Sequence, residues 1–459
     1  MNWYRTLEEF AEKLSGVIWG PAMVAGMLFV GIWFTLRAKG IQFLHFGTCL
    51  RCTIGSLMCG KKEKGSVGIT KFQALSAALA GTMGTGNIVG VATALSMGGA
   101  GAVFWMWVSA LFGMMTKYAE TLLAVRFRKK NSEGQWVGGA MEYMEDGVGK
   151  KWLAGVFGVC CVFASLGMGN MTQANAIADA VQDACSVSPW VTGIVLAAVL
   201  AVIVFGGLTR IAAVTEKLIP ALSILYTLAA LAVIVLHAER LPRVFAEIFE
   251  QAFSVSAATG GAAGIGIRAA MRYGFSRGIF SNEAGLGSSG MVYAAAEDAK
   301  PVEQGMWGIF EVFVDTIVVC TVTAVAILSS GALAQGKTGA ALTVAAFETV
   351  LGSVGSLFIS ASVLLFALAS MLGWAYYGER GFCRLAGEKG APLYRVVFIA
   401  AAVAGSAAKL ELVWNLSEIF NGLMALPNLY AILCLTPVVV EETKHWFCAQ
   451  PNRRKSKKY

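Results

Sequence analysis

The chain has 459 residues, of which 57% are hydrophobic and 14% charged, with a mean hydropathy of +0.66. A soluble domain carries about 25% charged residues, so this composition excludes an ordinary soluble enzyme and implies one membrane-embedded unit. The net charge of +8 does not point to nucleic acid, because the basic residues lie between apolar runs, mostly on alternate loops.

A helix needs about 20 apolar residues to cross the hydrocarbon. Runs near 17–38, 70–97, 99–125, 152–184, 189–208, 211–237, 243–274, 304–332, 354–379, 392–408 and 411–439 predict an all-α polytopic fold of about 11 transmembrane helices. The first run lacks a small-residue cleavage site and reads as a span rather than a signal peptide. Loop 37–71 is basic and contains His45, Cys49, Cys52 and Cys59. Four such residues without a second paired motif make a weak zinc signal, so reduced thiols and no metal are the expectation. Run 70–97 contains GTMGTGNIVG at 81–90, and the loop 126–151 that follows run 99–125 is again basic. Run 152–184 carries Asn170, Gln173, Asn175 and Asp179, polar groups that within a span face the bundle interior.

Run 243–274 contains ATGGAAGIG at 258–266. The small and polar segment 275–297 reads as a structured cytoplasmic loop, where Arg277 and Glu283 either form part of an inner gate or only fix the loop. Segment 339–351 is too short to span and is expected as an interfacial helix outside. The last run holds Pro427 and Pro437 and is kinked or in two pieces. The alternation of basic loops, ending in the basic tail 440–459, puts the N-terminus outside and the C-terminus inside.

Glycine within a span ordinarily serves close helix packing. Runs 70–97 and 243–274 differ in gathering several glycines and threonines near mid-membrane. Such breaks free backbone groups that lipid cannot satisfy, so they persist where they line a cavity or a ligand site. The two runs lie five apart and begin on opposite sides, the layout of an inverted-repeat transporter. The division is then 17–38 as an extra span, 70–237 as the first repeat and 243–439 as the second. Half-helix ends suit a zwitterion: free N–H groups face a carboxylate, and free carbonyls face an ammonium group or a cation.

Glu120, Glu311, Asp315 and Glu418 also fall in or near apolar runs. Glu120 and Glu311 read as interfacial pairs, with Arg126 beside Glu120. Asp315 is deeper and is the best candidate for a proton-linked role. No acid lies within either break, which favours an alkali cation over protons. The three histidines (His45, His237 and His445) lie away from both breaks, and no nucleophile with a base occurs within a span, so an enzyme is not expected. A channel is disfavoured because no filter motif is present.

The motifs GTMGTGNIVGVATAL at 81–95, GAVFWMWVSALFGMMTKYAE at 101–120, GNMTQANAIA at 169–178, RGIFSNEAGLGSS at 277–289 and LGWAYYGER at 372–380 resemble the alanine or glycine:cation symporters. The resemblance implies a LeuT-type five-plus-five fold with one extra N-terminal span, in a cell inner membrane. It implies symport of a small neutral amino acid with sodium, with alanine first, glycine next and glutamine as an alternative. No cofactor beyond the co-transported ion is implied. By the same resemblance Gly84, Thr85, Gly86 and Asn87 form the unwound substrate site, with the amides of Thr85 and Gly86 on the carboxylate. Gln173 and Asn175 add polar contacts. Phe253, Ser254, Ala257, Thr259 and Gly260 come from the second break, and Trp374 walls the pocket. Sodium falls to Ala80, Met83, Phe366 and Ser370, but Ala369 stands where the family carries a second hydroxyl.

Overall fold

The computed structural model describes residues 2–59, 68–253, 266–408 and 411–449, almost wholly helical. The N-terminal part is α1 (Asn2–Ile18) and α2 (Pro21–Arg37), which begins on a proline whose missing N–H costs nothing at a first turn. After short turns, α3 (Lys71–Thr82) starts at a capping box: Thr70 Oγ1 accepts from the Gln73 N–H at 3.1 Å, and Gln73 Oε1 accepts from the Thr70 N–H at 2.9 Å. α4 (Val89–Gly98) and α5 (Gly101–Arg126) follow. A two-residue hairpin pairs Lys129–Lys130 with Trp136–Val137.

Then come α6 (Lys151–Leu166), α7 (Thr172–Cys185), α8 (Pro189–Val204), α9 (Gly207–Leu236) and α10 (Leu241–Phe253). The chain continues as α11 (Ile267–Asn282), α12 (Pro301–Val312), α13 (Thr321–Ser330) and α14 (Gly339–Leu351). The last four are α15 (Ser353–Ala386), α16 (Ala391–Ala407), α17 (Glu411–Cys434) and α18 (Thr436–Ala449). The expected kink or division of the last run is a division, at the step before Pro437.

Among the described residues, seven helical stretches are long and apolar enough to cross a bilayer, and the bent pair Lys71–Thr82 and Thr85–Gly98 makes an eighth. α5 packs on α2, α11 and α12, while α6 and α7 pack on α15, and α7 and α8 on α16. α3 lies between α9 and α15, its Ala74, Ala77, Ala78, Ala80 and Gly81 all buried, so that small residues let the backbones approach. α14 is short, as expected, but Leu342, Thr343 and Ala345 to Phe347 are buried against the bundle. Its Thr343 hydroxyl donates to the Ile88 carbonyl at 3.3 Å, so α14 covers the break between α3 and α4.

Candidate functional site

The break expected at 81–90 is present. α3 ends at Thr82, Met83 and Gly84 leave helical geometry, Thr85–Asn87 make one tight turn, and the chain resumes in α4 at an angle of 61°. The Gly84 N–H bonds the Thr82 carbonyl at 3.0 Å rather than the Ala80 carbonyl four residues back, so Ala80 loses its helical partner. Among the described residues, the N–H groups of Thr85 and Gly86 have no main-chain acceptor.

Three of the expected side chains meet here. Thr85 Oγ1 donates to Gln173 Oε1 at 3.2 Å. Ser370 Oγ donates to the Gly81 carbonyl at 3.2 Å. A Cβ on Gly84 would stand 3.1 Å from Ser370 Oγ and 3.6 Å from Gln173 Oε1. Gln173 is aimed by a local widening of the helix at Gly167–Met171, where its Nε2 also reaches the Met168 carbonyl at 3.2 Å. Phe366 and Ala369 are buried on α15 beside Ser370, with the Phe366 ring edge-on to Tyr226. The Met83 thioether accepts from Ser223 Oγ at 3.6 Å.

Asn87 turns away from Gln173 and Ser370. Its Nδ2 donates to Asp315 Oδ1 at 2.8 Å, and Asp315 Oδ2 accepts from Ser281 at 2.8 Å and Thr316 at 2.7 Å. No acid lies within the break in sequence, yet the folded chain brings the fully buried Asp315 to its edge. The device is a second widened helical turn at Phe313–Cys320, a feature with no clear sequence signature.

Other expected residues are placed differently or lie outside the described residues. Phe253 is half exposed and packs on Phe104 and Trp105, because α10 turns this aromatic face outward. Asn175 is half-buried, with no hydrogen bond to the break among the described residues. Trp374 is fully buried, but its indole N–H is committed to Glu283 Oε1 at 2.9 Å. Ser254, Ala257, Thr259 and Gly260, with most of the second break, lie outside the described residues. Arg277 and Glu283 form no ion pair: the Arg277 guanidinium lies over the Phe280 ring, and Glu283 binds Ser288 and Trp374. Segment 275–297 is not simply a loop, since α11 runs on to Asn282.

Glu120 does not pair with Arg126. It is buried, accepts from the Gly287 N–H at 3.1 Å and from Asn428, and leaves Arg126 to pair with Glu442 at 2.8 Å. Glu311 pairs with Lys117 at 3.3 Å, both side chains fully buried. Lys117 was passed over in the sequence, although a lysine inside a span, three residues before a glutamate, is itself a signal. Of the loop residues considered for zinc, Cys49 donates its thiol to the Met306 carbonyl and His45 lies against the Phe447 ring.

A polar cavity of about 580 Å³ opens beside Ile69, Trp136, Glu297 and Tyr376. Two arginine–carboxylate forks border it, Arg395 on Glu379 and Arg380 on Glu388.

An almost wholly helical body of apolar spans, with a break at which, among the described residues, two backbone amides have no main-chain acceptor, defines a polytopic membrane transporter. A mutant manganese transporter of Eremococcus coleocola has the same general fold: TM-score 0.50 at 12% identity, covering 80% of this chain and 78% of that one. The model of the sodium:alanine symporter family matches residues 4–459, and the chain belongs to that family. It is 40% identical to the sodium/alanine symporter AgcS of Methanococcus maripaludis, over 97% of this chain and 98% of that protein. It is 37% identical to the probable sodium/glutamine symporter GlnT of Bacillus subtilis, over 96% and 91%. The protein is therefore a multi-pass sodium-coupled amino-acid symporter, not an enzyme.

Proposed function

We propose that the chain carries a small neutral amino acid, alanine foremost and glycine next, into the cell together with sodium. The architecture in this reading is a LeuT-type five-plus-five repeat with one extra N-terminal span, N-terminus outside, in the cell inner membrane. The observation that carries the proposal is the pair of N–H groups at Thr85 and Gly86, without a main-chain acceptor among the described residues, in a break that also gathers Gln173 and Ser370.

The substrate carboxylate takes those two amides, whose half-helix dipole favours negative charge. Gln173 fixes the polar end of the substrate through Thr85. Sodium takes the Ala80, Met83 and Phe366 carbonyls and the Ser370 hydroxyl, a hard oxygen set suited to an alkali cation. A water replaces the hydroxyl that Ala369 lacks. Each solute then raises the affinity for the other, and one helix group rocks against the rest to expose the site to alternate sides.

Uptake of labelled alanine, glycine and glutamine into proteoliposomes, with and without an inward sodium gradient, tests this. The expected result is alanine uptake that collapses without sodium. Glutamine uptake exceeding alanine would move the assignment to the larger substrate. A second reading is proton coupling, favoured by the Asp315 carboxylate at the edge of the break. Uptake driven by a proton gradient alone would support it.

A further inference from the structure

Trp374 and Glu283 meet where two packed groups of helices adjoin. Trp374 projects from α15, one turn beyond Ser370, and its bond to Glu283 leaves the second carboxylate oxygen to Ser288 Oγ at 2.5 Å. Glu283 is only 1% exposed and sits at φ +54°, a left-handed conformation that is strained for a residue with a side chain. Gly285 at φ +100° and Gly287 at φ +75° complete a tight turn after α11.

The turn is anchored on the α5 side by Lys117 Nζ, which donates to Ser289 Oγ at 2.9 Å, and by Glu120, which accepts from the Gly287 N–H. Asn428 of α17 holds the Gly285 carbonyl at 2.9 Å. Such a strained turn persists when its surroundings over-determine it. Here they aim one carboxylate oxygen at one indole.

Next to this bond, α3 is pressed onto α15. A Cβ on Gly373 would stand 2.6 Å from the Gly81 nitrogen, and one on Gly81 would stand 2.8 Å from the Tyr377 hydroxyl. Gly169 leaves room for the indole itself, since a Cβ there would fall 2.3 Å from Trp374 Cβ.

We propose that Glu283 is a positioning residue of the transport cycle. Through its hydrogen bond it locks Trp374 as the floor beneath Ser370 and keeps α3 seated on α15. The site opens only when that bond is released. The inference rests on the symport reading above.

The test is amide hydrogen exchange across Lys71–Thr82 in the purified full chain, for wild type, Glu283→Ala, Glu283→Gln, Glu283→Leu and Trp374→Phe, with and without sodium plus alanine. Losing this buried hydrogen bond, which leaves its partner unsatisfied, is expected to speed exchange of α3 about ten- to a hundred-fold in Glu283→Ala and Trp374→Phe. Glu283→Gln keeps an acceptor and stays near wild type, whereas Glu283→Leu keeps the bulk without an acceptor and exchanges like Glu283→Ala; a purely space-filling role would leave Glu283→Leu near wild type. Unchanged α3 exchange in Trp374→Phe, or equal damage from Gln and Ala, overturns the proposal. Should Glu283→Ala fail to accumulate, Trp374→Phe decides alone. If wild type shows no sodium-dependent alanine binding, the symport reading fails, while the exchange comparison still reports on the lock.

Discussion

Replacing Gly373 by alanine adds one methyl group where two helix backbones touch. Its Cβ would lie 2.6 Å from the Gly81 nitrogen and 2.7 Å from the Gly81 Cα, against ordinary contact at 3.4 Å or more. The obstacle is backbone and cannot swing aside, so α3 and α15 must part by roughly 0.8 Å. Overpacking of this kind costs about 1–3 kcal/mol. The same movement stretches the Ser370 to Gly81 bond from 3.2 Å to beyond hydrogen-bond range. Sodium is expected to lose about tenfold or more in apparent affinity, since each 1.4 kcal/mol is a factor of about ten. A sodium titration of alanine uptake, run beside a thermal melt, reads both effects. Gly155→Ala is the control, because nothing lies within 4 Å of the added atom. If Gly373→Ala matches Gly155→Ala in both measurements, the claimed close approach of α3 and α15 is wrong.

Removing Lys117 as Lys117→Met strands the buried Glu311 and is expected to destabilise by about 3–5 kcal/mol, seen as a large fall in melting temperature. Adding Glu311→Gln should recover part of that loss, and simple additivity of the two changes would argue against the pair. Ala369→Ser restores a hydroxyl beside Ser370 and should raise apparent sodium affinity several-fold in the same titration; no change would place the ion elsewhere. At Gly86, an alanine Cβ stands 3.6 Å from Ser281 Cα, an ordinary contact, so Gly86→Ala should retain measurable uptake while Gly86→Leu abolishes it. Asp315→Asn should leave uptake sodium-dependent under the favoured reading, and complete loss of cation coupling would support the proton-linked alternative.

The broken helix was legible in the sequence because glycine runs at mid-span have a definite backbone consequence, and GTMGTGNIVG is where the chain bends. That Gln173 and Ser370 lie against this break was also legible, through motifs rather than through any local physical signal. The fate of the acids was not. Whether Glu120 meets Arg126 or Asn428, or Asp315 meets Asn87, depends on helix rotation and on widened turns, which spacing along the chain does not encode. Trp374 shows the same limit: its position on the Ser370 face was readable, but its hydrogen-bond partner comes from a strained turn 91 residues away. The ring contacts of Phe253 were not legible, because aromatic residues in a membrane protein are as stable against lipid and one another as in a pocket.

The most direct measurement is an experimental structure with alanine and sodium bound. The account predicts the substrate carboxylate within hydrogen-bond range of the Thr85 and Gly86 nitrogens, with an ion between the Ala80 carbonyl and the Ser370 hydroxyl. Alanine bound elsewhere, with α3 and α4 joined as one continuous helix, would contradict it.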